Sequence, residues 1–380
     1  VKSLCKGGPR VRAIGALAAS GALALTACSA NATSSPTAAS PGTGSTKASA
    51  GAAGIACGAA AGLQASGSTA QQYAMKYWIK NYTRACPDTK INYTGNGSGD
   101  GQDEFLQGKT AFAGSDSPLS AEQIDQSEKV CPGGHAVHLP MVGGPIAVGF
   151  HLPGVDRLIL DAPTLAKIFN GQITTWNDPA IARLNKGAKL PSTPIKQFHR
   201  SDSSGTTDNF TAYLGAVAPD AWPYEHSKEW KGKGGTGVKG SSDLAAQVRR
   251  TAGAIGYFEL PYAVARMIRT VSLDTGAPAP VDANVISASQ AIAGAEPAGD
   301  SDLVLKLDYT TKAPGAYPID VVTYEIVCNK GNKASTWPAT KAFLTYVASQ
   351  KGQENLTFQG YATLPAKVVD KVRTEIGGLS

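Results

Sequence analysis

Residues 198–210 read FHRSDSSGTTDNF: Arg200, the carboxylates of Asp202 and Asp208, and a run of serines and threonines set about Gly205. Such a density of hydrogen-bonding groups suits the capture of an anion. A β-type run precedes it, and the N–H groups of Ser204, Gly205 and Thr206 are expected to open a helix reaching about Leu214. Helix N-termini gather unpaired N–H groups at the positive end of the dipole. Arg200 adds a planar fork that matches a tetrahedral oxyanion. Asp202 makes no sense as a ligand for an anion, but good sense as a brace for the guanidinium.

Three earlier loops share this chemistry: Ser66-Gly67-Ser68-Thr69, Gly95 to Gly101 around Ser98, and Gly114-Ser115-Asp116-Ser117-Pro118. Taken singly, each is an ordinary polar turn. Together they close strands at 57–64, 90–94 and 110–113 and lead into helices at about 70–85 and 102–107, the first capped by Ser68 or Thr69. Alternation of this kind predicts α/β architecture, and in open α/β sheets ligands bind at the carboxyl ends of the strands. All the loops can therefore face one cleft.

The remaining pattern extends this reading. A strand at 136–142 passes through Gly143-Gly144-Pro145 into apolar 146–150, the expected crossing to a second lobe. That lobe takes a helix at 163–169, strands at 195–199 and 254–258 and a helix at 242–251. The alternating run Tyr317–Val327 returns the chain, and helices at 336–350 and 365–376 finish it. The expected domains are lobe I, 57–142 with 317–380, and lobe II, 143–316.

The opening residues carry a different signal. Lys2, Lys6, Arg10 and Arg12 precede an apolar run from Ala13 to Ala27 that is short for a membrane span. Val1 stands where Met is expected, as a literally translated GUG start would give. Leu25-Thr26-Ala27-Cys28 resembles a bacterial lipobox, so 1–27 is expected to be a signal peptide and Cys28 the lipidated N-terminus. Residues 28–56 then form a tether with Lys47 as its single charge, too poor in apolar residues to fold, with a mean reach of about 30 Å.

Formal charge is +6, but 1–27 hold four basic residues and no acid, which leaves 31 basic against 29 acidic residues, or +2. Nucleic-acid binding, which wants a strong positive field, loses its support. Cys57, Cys86, Cys131 and Cys328 remain beyond the signal and Cys28. In an exported chain they favour disulfides, and their spacing has no zinc pattern. Cys57 and Cys86 flank the first strand and helix at the sheet edge away from the loops, and Cys131 and Cys328 flank the crossing strands there. This predicts Cys57 with Cys86 and Cys131 with Cys328, although four cysteines leave three connectivities open.

The stretches ASGST (65–69), NYTGNGSGDG (92–101), AGSDSPLS (113–120), IFNGQITTWNDPAI (168–181), HRSDSSGTTDNF (199–210) and YPIDVVTYEIV (317–327) together resemble the phosphate-binding proteins of bacterial high-affinity phosphate ABC transporters. The resemblance runs from about residue 57 to the end. It implies a two-lobed periplasmic-binding-protein fold, type II-like, with hinge-crossing strands. It also implies phosphate contacts from Thr69, the N–H of Ala70, Ser98, Asp116, Arg200, Ser204, Gly205 and Thr206, with Asp202 orienting the arginine. The partners implied are inorganic phosphate and the permease and ATPase subunits of the transporter. A lipid-anchored monomer on the extracytoplasmic face, with no cofactor, is expected. Two departures stand out: Ser203 where glycine is common, and Ala70-Gln71-Gln72 in place of more apolar residues.

An ionised Asp116 only accepts hydrogen bonds, so it suits the O–H of phosphate and repels sulfate, which brings no proton. An esterase or phosphatase is the rival reading. The chain beyond the signal lacks G-x-S-x-G, S-x-x-K and Walker patterns. His199, next to Arg200 on a strand, points the opposite way; His135, His138, His151 and His226 are scattered, and Trp176 is read as a turn support. A surface receptor or adhesin on the same fold is the other alternative.

Overall fold

In the computed structural model, residues 54–298 and 302–380 are described. The expected signal peptide, Cys28 and the tether up to residue 53 lie outside them. Ile55 already packs against the first core, so packing begins inside the segment expected as tether.

Eight strands form the main path of a mixed sheet: β1 Ala61–Gly67, β2 Thr89–Gly95, β3 Phe112–Ser115, β4 Ala136–His151, β5 Lys196–Arg200, β6 Thr236–Val238, β7 Ala254–Glu259 and β8 Asp320–Cys328. Their order is β2-β1-β3-β8-β4-β7-β5-β6. β1 is parallel to β2 and β3, and β5 is parallel to β6 and β7. The long strands β4 and β8 join the two parallel sets through antiparallel pairing from Asp320↔Pro145 to Cys328↔Ala136.

Of the four hydrophobic cores that the described residues form along this sheet, two divide β4 between them. Val137 to Val142 of β4 pack with Trp78, Tyr82, Phe112 and Phe343, whereas Ile146 to Phe150 pack with Leu165, Trp176, Phe210 and Tyr257. The change falls at Gly143-Gly144-Pro145, yet β4 is a single strand of 16 residues there, because Gly143 and Gly144 stay paired with Val322 and Val321. Disulfides join Cys57 to Cys86 and Cys131 to Cys328, the pairs that the element order predicts.

Three element boundaries differ from expectation in ways that shape the site. β1 runs on to Gly67, since pairing with Gly95 and Gly114 on both sides carries the strand past its expected end. Helix α1, Gln72–Ala85, begins after an uncapped Gln71, not at Ser68 or Thr69. Helix α2, Ser98–Leu106, starts four residues earlier than predicted and takes Gly99 and Gly101 into its first turn. Glycine costs about 1 kcal/mol inside a helix. Here close approach outweighs that cost: a Cβ on Gly101 would sit 2.4 Å from the Gly67 Cα.

Candidate functional site

The carboxyl ends of β1, β2, β3, β5, β6 and β7 converge. Ser68, Thr69 and Ala70 follow β1, Ser98 opens α2 beyond β2, and Asp116 follows β3. Arg200 ends β5, Ser241 lies in the first turn of helix α4, Gly240–Arg250, after β6, and Glu259 ends β7. Thr69, Ala70, Ser98, Asp116, Arg200, Ser204 and Thr206 are all buried.

Arg200 is held as a fork. Its Nε donates to Asp202 Oδ1 at 2.7 Å and its Nη2 to Asp202 Oδ2. Nη1 donates to Ser241 Oγ at 2.8 Å and to Thr206 Oγ1 at 3.3 Å. Gly240 N–H, at 3.0 Å, donates to Asp202 as well. Burial opposes the guanidinium charge, but hydrogen bonds and attraction from Asp202, with Glu259 adding to them, raise its pKa above the ordinary arginine value. Burial likewise works against the Asp202 carboxylate, and the bonds from Arg200 outweigh it, so its pKa falls. The pair is a locked cation presenter.

Helix α3, Gly205–Val217, is capped by Ser204, whose Oγ accepts from Thr207 N–H at 3.2 Å. Ser204 N–H donates to Lys228 O at 3.0 Å, so the expected three-donor nest contracts to the Gly205 and Thr206 N–H groups, with the Ser204 hydroxyl beside them. Gly205 is fixed by proximity, because a Cβ there would meet Asp116 Cβ at 2.5 Å and Ser98 Oγ at 2.7 Å. Gly205→Ala is therefore expected to weaken anion affinity about 10- to 100-fold through an overpacking cost of about 1–3 kcal/mol in the closed cleft. Calorimetry gives the affinity, and small-angle scattering should report a wider molecule.

Asp116 sits opposite. Its oxygens accept from Ser68 Oγ and, at 3.1 Å, from Ser98 Oγ. Burial, then repulsion from Glu259, pushes its pKa up to about 7 against the pull of the two serines and Arg200. The serine at 203 causes no misfit: its carbonyl accepts from Gly99 N–H at 3.0 Å, and Gly99 leaves room for its hydroxyl. His199 is turned away, stacked on Trp230 with centroids 4.8 Å apart, and burial lowers its pKa. Trp176 supports its turn through Nε1–H to Gly253 O at 3.1 Å.

Sequence reasoning missed a second ring of residues. Tyr93, Tyr262 and Tyr361 donate their hydroxyls to three consecutive carbonyls, Ser68 O at 2.8 Å, Thr69 O at 2.6 Å and Ala70 O at 2.8 Å. With its carbonyls tied back, the loop keeps the Thr69 hydroxyl in the cleft, where it lies 3.0 Å from Ser241 Oγ. Ala70 N–H bonds Ser68 Oγ at 2.9 Å. Thr206 Oγ1 donates to Glu259 Oε1 at 2.5 Å. The signal for these groups was faint: Gly-Ser-Ser at 240–242 looks like an ordinary polar turn, and GYFELPY (256–262) reads as strand and core.

Comparison with known proteins bears on this arrangement. A family model described as a PBP superfamily domain matches residues 30–351. Over 370 residues the chain is 42% identical to phosphate-binding protein PstS 2 of Mycobacterium tuberculosis, covering 96% of this chain and 97% of that one. The chain belongs to the PstS family of the PBP superfamily. A second PstS relative, phosphate-binding protein PstS 3 of Mycobacterium leprae, is 43% identical over 330 residues, 86% of this chain and 89% of its own. Among solved structures, a high affinity periplasmic phosphate-binding protein (PfluDING) bound with phosphate has a TM-score of 0.68 at 23% identity, covering 83% and 93% of the two chains. The PstS chain thus shares the two-lobed α/β fold that its sequence predicts.

Proposed function

We propose that this protein captures inorganic phosphate between its lobes and delivers it to the permease of an ABC transporter. One observation carries the reading: a buried cleft opposes a braced guanidinium, Gly205 and Thr206 N–H groups and several hydroxyls to Asp116, an acceptor buried among them. Donors satisfy bare phosphate oxygens, and the acceptor takes the oxygen that keeps its proton. The names of its PstS relatives point the same way.

The ligand set we assign is Thr69, Ala70 N–H once it leaves Ser68 Oγ, Ser98, Asp116, Arg200, Ser204, Gly205 and Thr206. Asp202 positions the arginine. Thr69, Ser98 and Asp116 belong to lobe I and Arg200 with its loop to lobe II, so one anion tied to both favours the closed state. Delivery requires reopening at the permease. The globular body works on the extracytoplasmic face as a monomer, held there by lipid on Cys28. No hydrolysis is assigned, because the His199 ring packs on Trp230, away from the serines of the cleft. Titration calorimetry of the mature protein with phosphate tests this, and release of product from a phosphate ester would overturn the transport reading.

A further inference from the structure

The cleft described as an anion seat holds more acid than base. Arg200 faces three carboxylates, those of Asp202, Asp116 and Glu259, all buried. Asp202 is matched to the arginine and Asp116 has an acceptor's task, but Glu259 has neither. It ends β7 and occupies the cap position of helix α5, Leu260–Arg266, without capping it. Instead its Oε1 takes the Thr206 hydroxyl hydrogen at 2.5 Å, while Oε2 is buried without a hydrogen-bond partner. The charged and titratable groups acting on it are Arg200, Asp116, Tyr262 and Tyr361.

A threonine hydroxyl has a single hydrogen. Thr206 cannot donate it both to Glu259 and to a bound anion. Resting on the phosphate reading, we infer that Glu259 is a proton-holding positioning residue: phosphate enters together with one proton, which comes to rest on the Glu259 carboxyl. The Thr206 O–H bond to Oε1 is released and its hydrogen turns to a phosphate oxygen. A proton from solvent adds to Oε1, and the new carboxylic acid donates it back to Thr206 Oγ1. The step adds one net negative charge to the site, since dibasic phosphate brings two and the proton removes one. Without that proton, Oε1 and Oγ1 would face each other as two acceptors, next to an added anion in a buried site. Neutralising Glu259 also relieves its repulsion of Asp116, which stays free to accept the phosphate O–H.

Glu259→Gln imitates the protonated form, because its amide can donate permanently to Thr206 Oγ1. Calorimetry at pH of about 8.5, where free phosphate is dibasic, in two phosphate-free buffers of different ionisation enthalpy counts the protons. The wild-type protein should take up about one proton per phosphate, and its affinity should fall about tenfold per pH unit above that point, the slope of one linked proton. Glu259→Gln should take up about none and show a flat profile. Wild-type binding without proton uptake overturns the inference by itself, whatever the variant's folding; it would mean that Thr206 binds only through its N–H. Uptake that persists in a folded Glu259→Gln protein also overturns it, since the proton then rests elsewhere. Absence of phosphate binding by the wild-type protein in both buffers would instead refute the phosphate reading.

Discussion

Arg200→Ala is expected to weaken phosphate binding by about 10²- to 10⁴-fold, the loss of two charge-assisted hydrogen bonds worth about 1.5–3 kcal/mol each. The guanidinium already has its Nε and Nη2 committed to Asp202, so what it offers the cleft is the Nη1 edge now bonded to Ser241 and Thr206. Removing it also leaves Asp202 buried and unmatched, at a cost of about 3–5 kcal/mol to the fold. Binding and stability must therefore be separated. The double variant Arg200→Ala/Asp202→Asn should recover most of the melting temperature and none of the affinity. Arg200→Lys keeps the charge but loses the fork, and should fall between. Full affinity in a folded Arg200→Ala protein would place the anion elsewhere.

Asp116→Asn is expected to exchange selectivity for stability. Burial and Glu259 raise the pKa of this carboxyl to about 7. Between the ordinary carboxylate value and that point, the folded protein holds a proton that the unfolded chain has lost, so stability of the empty form falls as pH rises through the window. Above it the penalty is complete, about 4 kcal/mol. The substitution removes that penalty and should raise the melting temperature of the empty protein at pH of about 8 by about 5 °C. The new amide can donate as well as accept, so sulfate is no longer repelled and should compete with phosphate. The same logic gives the wild-type protein a pH dependence: as pH falls through about 7, Asp116 gains a proton, and sulfate binding should appear. An Asp116→Asn protein that still excludes sulfate would assign selectivity to other groups.

Legibility differed between fold and site for physical reasons. Strand-loop-helix alternation revealed the α/β class, and FHRSDSSGTTDNF revealed Arg200 and its brace, because both are local in sequence. Gly143-Gly144-Pro145 marked where the core changes, but not that β4 runs through it unbroken, since pairing with β8, and of Gly143 with Ala362, supplies that continuity. The start of α2 was hidden for a related reason. Gly99 and Gly101 speak against helix locally, and the contacts that favour it, with Ser203 and Gly67, are distant in sequence. Ser68 looked like a cap, whereas the structure gives its hydroxyl to Asp116. The ring of Tyr93, Tyr262 and Tyr361 and the acid Glu259 were invisible because buried or half-buried tyrosines and strand-end residues carry no spacing signal of their own.

All of these roles meet at Asp116, the acceptor set opposite Arg200. The most direct test titrates the mature protein with phosphate and, separately, with sulfate at pH of about 8. Saturable binding of phosphate, one ion per chain, with no detectable heat from sulfate, is the result that an ionised Asp116 facing Arg200 predicts. Equal affinity for the two anions would contradict it.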